Sequence, residues 1–227
     1  MPIYPSRRML EATVIIGMGG LGCPAAVALA GAGALRLTLV DGDVVETSNL
    51  HRQPLYGPED VGRPKVEVAG ERLSRAFPGL EIETWARRVG PQDVEPLLAR
   101  HTLAIDGTDS VAAKFLLSDA VARTGTPLVS GGVVQWGGQA MRINPGGACL
   151  RCLYGTAPRE DEVPTCARAG VLGSLAGVLG ALQASLALGP ASPAGRSTLH
   201  VVDGRTLRFR TLTVHRVPDC PGCGARA

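Results

Sequence analysis

The stretch VIIGMGGLGCPA, residues 14–25, decides the fold. Val14, Ile15 and Ile16 are β-branched and apolar, as a buried strand requires, and the small apolar residues from Leu21 onward suit a packed helix. Between them Gly17, Gly19 and Gly22 fit G-x-G-x-x-G, and Asp41 closes the next strand 24 residues after Gly17, where a dinucleotide fold keeps a ribose-binding acid. Glycines let the backbone approach a phosphate, and a helix beginning near Gly20 offers unpaired N–H groups and the positive end of its dipole. Gly17, Gly19 and Gly20 are therefore candidate nucleotide contacts. The pattern alone suits NAD as well as ATP, and a glycine turn can also serve only to pack a helix on a strand.

Outward from this turn, the first 130 residues alternate β-rich runs near 12–17, 35–40, 81–85, 102–106 and 127–130 with helix-like segments near 20–32, 64–77, 91–99 and 111–124. That rhythm predicts a Rossmann-like, doubly wound α/β sheet, mainly parallel, with ligands at the carboxyl ends of its strands. After Gly131 the runs VVQWGGQAMRIN, TLHVVDG and TLRFRTLTVH read as antiparallel strands that extend the sheet. The apolar stretch 171–189 contains Gln183, two Ser and four Gly, and reads as a buried helix rather than a membrane span. Residues 189–197, GPASPAGRS, read as a surface loop. One domain is expected over residues 1–227, with a nucleotide-binding half at 1–130 and an antiparallel extension at 131–227.

The residues after Asp41 argue for phosphate chemistry. DGDVVETSNLHRQ leads to Arg52 and, thirteen residues later, to Lys65 at the start of a predicted helix. A hydride-transfer enzyme has no need of two more cations beside its first crossover, whereas a triphosphate being cleaved needs its spreading charge neutralised. Singly, each residue could be a solvated surface cation. Lys65 and Lys114 are the only lysines beside 21 arginines, so the compact ammonium can be what position 65 requires. At the end of the fourth strand, LAIDGTDS places Asp106 and Asp109 where a carboxylate can hold magnesium on phosphates, and Asp109 could also cap the helix that begins near Ser110.

The net charge of +3 and the scattered arginines argue against nucleic acid as the main ligand. MPIYPSRRML lacks an apolar core of signal-peptide length, so a cytoplasmic protein without a membrane anchor is expected. Cys149/Cys152 and Cys220/Cys223 form two C-x-x-C pairs, the complement of a closed four-thiolate zinc site that would staple the end of the chain to the segment after the central sheet. Cys23 reads as a packed core residue. Cys166 sits in a polar stretch near Arg159 and Arg168, where a thiolate is favoured.

GMGGLGCPA, DGDVVETSNLHRQ, GRPKVE, DGTDS, PLVSGG, CLRC, PTCARAGV and CPGC occur in the order found in the ThiF/MoeB family, bacterial relatives of ubiquitin-activating enzymes, and the chain resembles that family over about residues 12–224. The resemblance implies a homodimeric enzyme that uses ATP and Mg2+ to adenylate the C-terminal glycine of a small ubiquitin-like sulfur carrier ending in Gly-Gly, releasing pyrophosphate, with a sulfur donor such as a cysteine desulfurase as a further partner. It implies that Asp41 holds the ribose and Gly19 lies against the nucleotide. It also implies that Asn49, Arg52 and Lys65 engage the phosphates and that Asp109 binds magnesium. Cys166 matches the cysteine that in some relatives carries the activated partner covalently and in others is a spectator. The chain departs from the pattern in three places. A short arm precedes Glu11, with Arg7 and Arg8 as candidates for an arginine that reaches the neighbouring subunit; Ser110 stands where Asn is commoner, and His51 where Gln is. The rival readings are an NAD-dependent oxidoreductase, a same-fold activating enzyme for a peptide or tRNA, and a non-catalytic subunit. The first leaves Arg52, Lys65 and both C-x-x-C pairs unexplained.

Overall fold

Strand β1, Thr13–Ile16, is third in an eight-stranded sheet of order β3-β2-β1-β4-β5-β6-β7-β8, at the middle of its five parallel strands. The computed structural model describes residues 10–159, 162–163 and 169–224. Its parallel part comprises β1, β2 (Arg36–Val40), β3 (Glu81–Trp85), β4 (Leu103–Asp106) and β5 (Leu128–Val134). Helices α1 (Gly22–Gly31), α2 (Lys65–Ala76), α3 (Pro91–Ala99) and α4 (Val111–Thr124) connect these strands. The side-chain alternation of β1 shows why both faces are covered. Ile15 packs with Leu37, Leu39 and α1 and α2 residues on one face, while Val14 and Ile16 pack with Val40, Leu97 and Leu117 on the other.

Strands β6 (Gly137–Ile143), β7 (Arg196–Asp203) and β8 (Arg208–His215) add on antiparallel, as expected. The run VVQWGGQAMRIN is not one strand: its first two residues end β5, and the chain reverses at Gln135, whose φ of 52° lies in the left-handed region. The short helix α5 (Leu150–Tyr154) follows β6. Helix α6, Gly173–Leu188, is the expected apolar helix and lies on β5, β6 and α1. Its Gly180 meets the α1 entry so closely that a Cβ would stand 2.3 Å from the Leu21 carbonyl oxygen. Among the described residues no helix is long and apolar enough to cross a membrane. Helix α1 starts at Gly22, two residues beyond the expected start, because the intervening residues form the glycine turn itself.

Because the order passes from β2 through β1 to β4, crossovers leave β1 in opposite directions, and the carboxyl ends of β1 and β4 open a crevice between them. Cys166 and the candidate arginines Arg7 and Arg8 lie outside the described residues.

Candidate active site

The glycines divide the labour of the turn. Gly17 has φ +90° and faces Gly107 so tightly that a Cβ would lie 2.7 Å from its carbonyl carbon. A Cβ on Gly22 would stand 1.9 Å from the Gly17 oxygen, so both of these glycines permit backbone to pack on backbone. Gly19 differs: a Cβ there meets nothing closer than Gln53 Nε2 at 3.6 Å, leaving its backbone open to a cavity of about 910 Å³. Gly17 and Gly20 also border that cavity, although Gly20 is backed at 3.2 Å by Ala176.

Asp41, at the end of β2, pins the turn. Its Oδ2 accepts the Met18 N–H at 2.7 Å and its Oδ1 accepts the Asp43 N–H at 2.9 Å. Burial raises its carboxyl from the ordinary aspartate value against the pull of Lys65. Each carboxylate oxygen keeps a second lone pair for a ligand.

The cations stand in two layers. Lys65 opens α2, its side chain only 6% exposed, and its ammonium pairs with Asp43 Oδ2 at 3.1 Å. Arg88, 86% exposed, pairs with the other oxygen of Asp43 at 3.1 Å. Burial works against the charged carboxylate of Asp43, but the two cations outweigh it and hold the group below its ordinary range. Arg52 ends a 3-10 segment, Thr47–Arg52, and donates to the Ser48 carbonyl at 3.1 Å and to Asn49 Oδ1. Asn49, itself buried, donates to Glu46 Oε2 at 3.1 Å. Its carboxamide therefore orients the guanidinium.

At the end of β4 the two aspartates part company. Asp106 is fully buried, and its carboxylate accepts Thr108 N at 3.0 Å, Thr108 Oγ1 at 2.7 Å, Ser130 Oγ at 2.6 Å and Lys114 Nζ at 3.1 Å. It is a saturated structural hub with no face for a metal, which removes it as a magnesium candidate. Lys114 also donates to the Gly131 carbonyl, so the second lysine serves this hub. The α4 cap is Ser110, whose hydroxyl accepts the Ala113 N–H at 3.2 Å, and not Asp109. Asp109 is exposed on the cavity wall. One carboxylate at a triphosphate cleft suits magnesium, which takes one or two protein carboxylates and completes its shell with phosphate oxygens and water.

Asp41, Asn49, Arg52, Lys65 and Asp109 thus border one cavity together with the glycine turn. Sequence reading missed Asp43, Arg88 and Gln53. Asp43 stood in the quoted motif two residues after Asp41, whereas nothing local marks Arg88, which reaches Asp43 across 45 positions.

The four C-x-x-C thiols converge in the core layer that also holds Leu117, Met141 and Leu199. Cys149–Cys152, Cys149–Cys220 and Cys152–Cys223 sulfurs lie 3.9, 3.5 and 3.4 Å apart, and all four within 4.8 Å. A tetrahedron with Zn–S bonds of ~2.3 Å has edges of ~3.8 Å, so the thiols fit zinc. The Val217 N–H points at Cys152 Sγ from 3.4 Å, a donor that steadies a thiolate. Burial opposes ionisation of Cys220, yet the backbone N–H groups of Cys223 and Gly222 bring it down to about 7. Arg151 holds α5 to α4 through Asp119 at 2.9 Å. Cys23, fully buried, donates its thiol to the Met18 carbonyl at 3.3 Å.

Comparison with known proteins is consistent across sequence and fold. The ThiF family profile matches residues 8–222. The SAMP-activating enzyme E1 of Haloferax volcanii is 38% identical over 226 residues, covering 98% of this chain and 84% of its own length. The sulfur carrier protein adenylyltransferase of Thermus thermophilus is 41% identical over 234 residues, 98% of this chain and 86% of its own. The sulfur carrier protein ThiS adenylyltransferase of Escherichia coli is 37% identical over 225 residues, 96% and 88%. Among solved structures, E. coli MccB with ATP superposes with a TM-score of 0.80 at 20% identity, over 95% of this chain and 67% of that one. That last likeness is one of fold.

Proposed function

The chain belongs to the ThiF family, and from that premise we propose that it is an ATP-dependent adenylyltransferase that activates the C-terminal glycine carboxylate of a small ubiquitin-like sulfur-carrier protein. One observation carries the reading. A nearly buried lysine, held by Asp43, faces the same cavity as an open glycine backbone and an exposed aspartate. A buried ammonium is costly unless paired, and here it is paired on one side only, with the cavity on the other.

In the reaction a carboxylate oxygen of the carrier attacks the α-phosphorus of ATP. A new P–O bond forms as the bond to the β-bridging oxygen breaks, and pyrophosphate leaves with that electron pair. No side chain acts as nucleophile, so the protein contributes position and charge. Asp41 accepts from the ribose hydroxyls, the open face of Gly19 lies along the phosphates, and Lys65 with Arg52 balances charge that builds on the leaving group. Asn49 keeps the Arg52 guanidinium aimed. Asp109 would hold magnesium, which would supply further positive charge to the triphosphate. The four cysteines would hold zinc as a structural staple at the helix whose Leu150 and Tyr154 border the cavity.

The same reading makes the working form a homodimer in the cytoplasm, with a sulfur donor such as a cysteine desulfurase acting on the adenylated carrier, and leaves Cys166 as the candidate for a covalent adduct. ATP–pyrophosphate exchange measured with small proteins ending in Gly-Gly tests it. Exchange that depends on an intact Gly-Gly terminus is expected; nucleotide binding restricted to NAD would refute it.

A further inference from the structure

Three hydrogen bonds converge on one residue of the glycine turn. The Met18 N–H donates to Asp41 Oδ2 at 2.7 Å, while the Met18 carbonyl accepts the Tyr56 hydroxyl at 2.9 Å and the Cys23 thiol at 3.3 Å. Tyr56 is 6% exposed and Cys23 fully buried, so both donors approach the carbonyl from the core side. Across a planar trans peptide the C=O and the following N–H point in opposite directions. With the Met18 oxygen turned into the core, the Gly19 N–H faces the cavity, and among the described residues it has no acceptor. Tyr56 also adjoins the cavity segment: its own N–H closes a turn on the Gln53 carbonyl at 3.1 Å, directly after the stretch that carries Asn49 and Arg52.

We infer that Tyr56 is a positioning residue for nucleotide phosphate, its hydroxyl locking the Met18–Gly19 peptide so that the Gly19 N–H stays aimed at the cleft and tying the glycine turn to the segment bearing Asn49 and Arg52. The inference rests on the adenylation reading for the identity of the ligand. The clamp itself does not. Tyr56 has no atom on the reacting centre; it acts through a backbone amide that does.

Tyr56→Phe removes the hydroxyl and keeps the ring. Calorimetric binding of ATP and of adenosine is compared in the variant and the wild type, together with hydrogen exchange of the Met18 amide in the nucleotide-free proteins. Loss of one such bond is expected to weaken ATP binding about fivefold and to speed Met18 exchange by a similar factor. Adenosine, which lacks phosphates, should bind both proteins equally. A merely structural tyrosine would lower both affinities together, and that result overturns the inference, as do unchanged ATP affinity and unchanged exchange. A wild type that binds neither ATP nor adenosine refutes the adenylation reading, and the exchange rate alone then decides the clamp.

Discussion

Replacing Lys65 with Met tests the charge reading of the cleft. The side chain is 6% exposed and its ammonium lies 3.1 Å from Asp43 Oδ2, so Met fills the stem's space while deleting the charge. Two unit charges about 4 Å apart interact by about 4 kcal/mol at an effective dielectric of about 20, and Asp43 already takes part of that. A net loss of about 3 kcal/mol of transition-state stabilisation corresponds to a rate loss of roughly 10²-fold. Stability should change by no more than about 1 kcal/mol, because Asp43 is 46% exposed and keeps Arg88 at 3.1 Å. Lys65→Arg should recover only part of the rate, since a planar fork does not fit a space shaped for an ammonium. The assay is ATP–pyrophosphate exchange beside a urea melt. A Met variant that folds normally and exchanges within threefold of the wild type would refute the reasoning, and one that unfolds would show that Lys65 is held for structure.

Single contacts predict further outcomes. Asp109→Ala, outside the Ser110 cap, should abolish exchange and leave the melting temperature unchanged; calorimetry and exchange on one preparation decide it. Gly19→Ala should fold and lose at least tenfold in ATP affinity, since its Cβ meets only Gln53 at 3.6 Å; Gly22→Ala, with a Cβ 1.9 Å from a backbone oxygen, should lose about 3 kcal/mol or fail to fold. Purified protein should hold one zinc per chain, with Cys220→Ser losing the metal; finding none by metal analysis would refute the site. His101, buried between Thr38 Oγ1 at 2.8 Å and the Leu97 carbonyl at 2.6 Å, is held below its usual value by burial, against the Leu97 bond. The unfolded chain therefore takes up a proton there first, and stability should fall as pH drops through about 6.5. Urea midpoints at pH 7.5 and 5.5 should differ less in His101→Gln than in the wild type.

The parallel half of the sheet was legible because each element repeats one pattern: β-branched runs such as Val14–Ile16 against longer segments closed by glycine or proline. The β5–β6 reversal was not, since Gln135 and Trp136 are poor turn formers and the left-handed backbone there is imposed by the sheet. At the site, Asp41, Arg52, Lys65 and Asp109 could be named because each sits at a fixed distance from a local signal. Asp106 was read alongside Asp109 as a magnesium candidate, since sequence spacing cannot reveal that Ser130 and Lys114 saturate it. Tyr56 carries no local signal, because its partner Met18 lies 38 residues away.

The cysteine cluster has a consequence for the order of assembly. Cys149 and Cys152 wait on partners 71 residues downstream, with α6, β7 and β8 between them. Closing so long a loop costs chain entropy that a metal clip can repay only after β8 has emerged and paired. During synthesis the first five strands can settle early, while the second half stays an unlatched flap whose free thiols compete for any available soft metal. With zinc held as proposed, cells short of it would then accumulate chains whose cavity wall lacks a firm seat for Met141, Leu150 and Leu199.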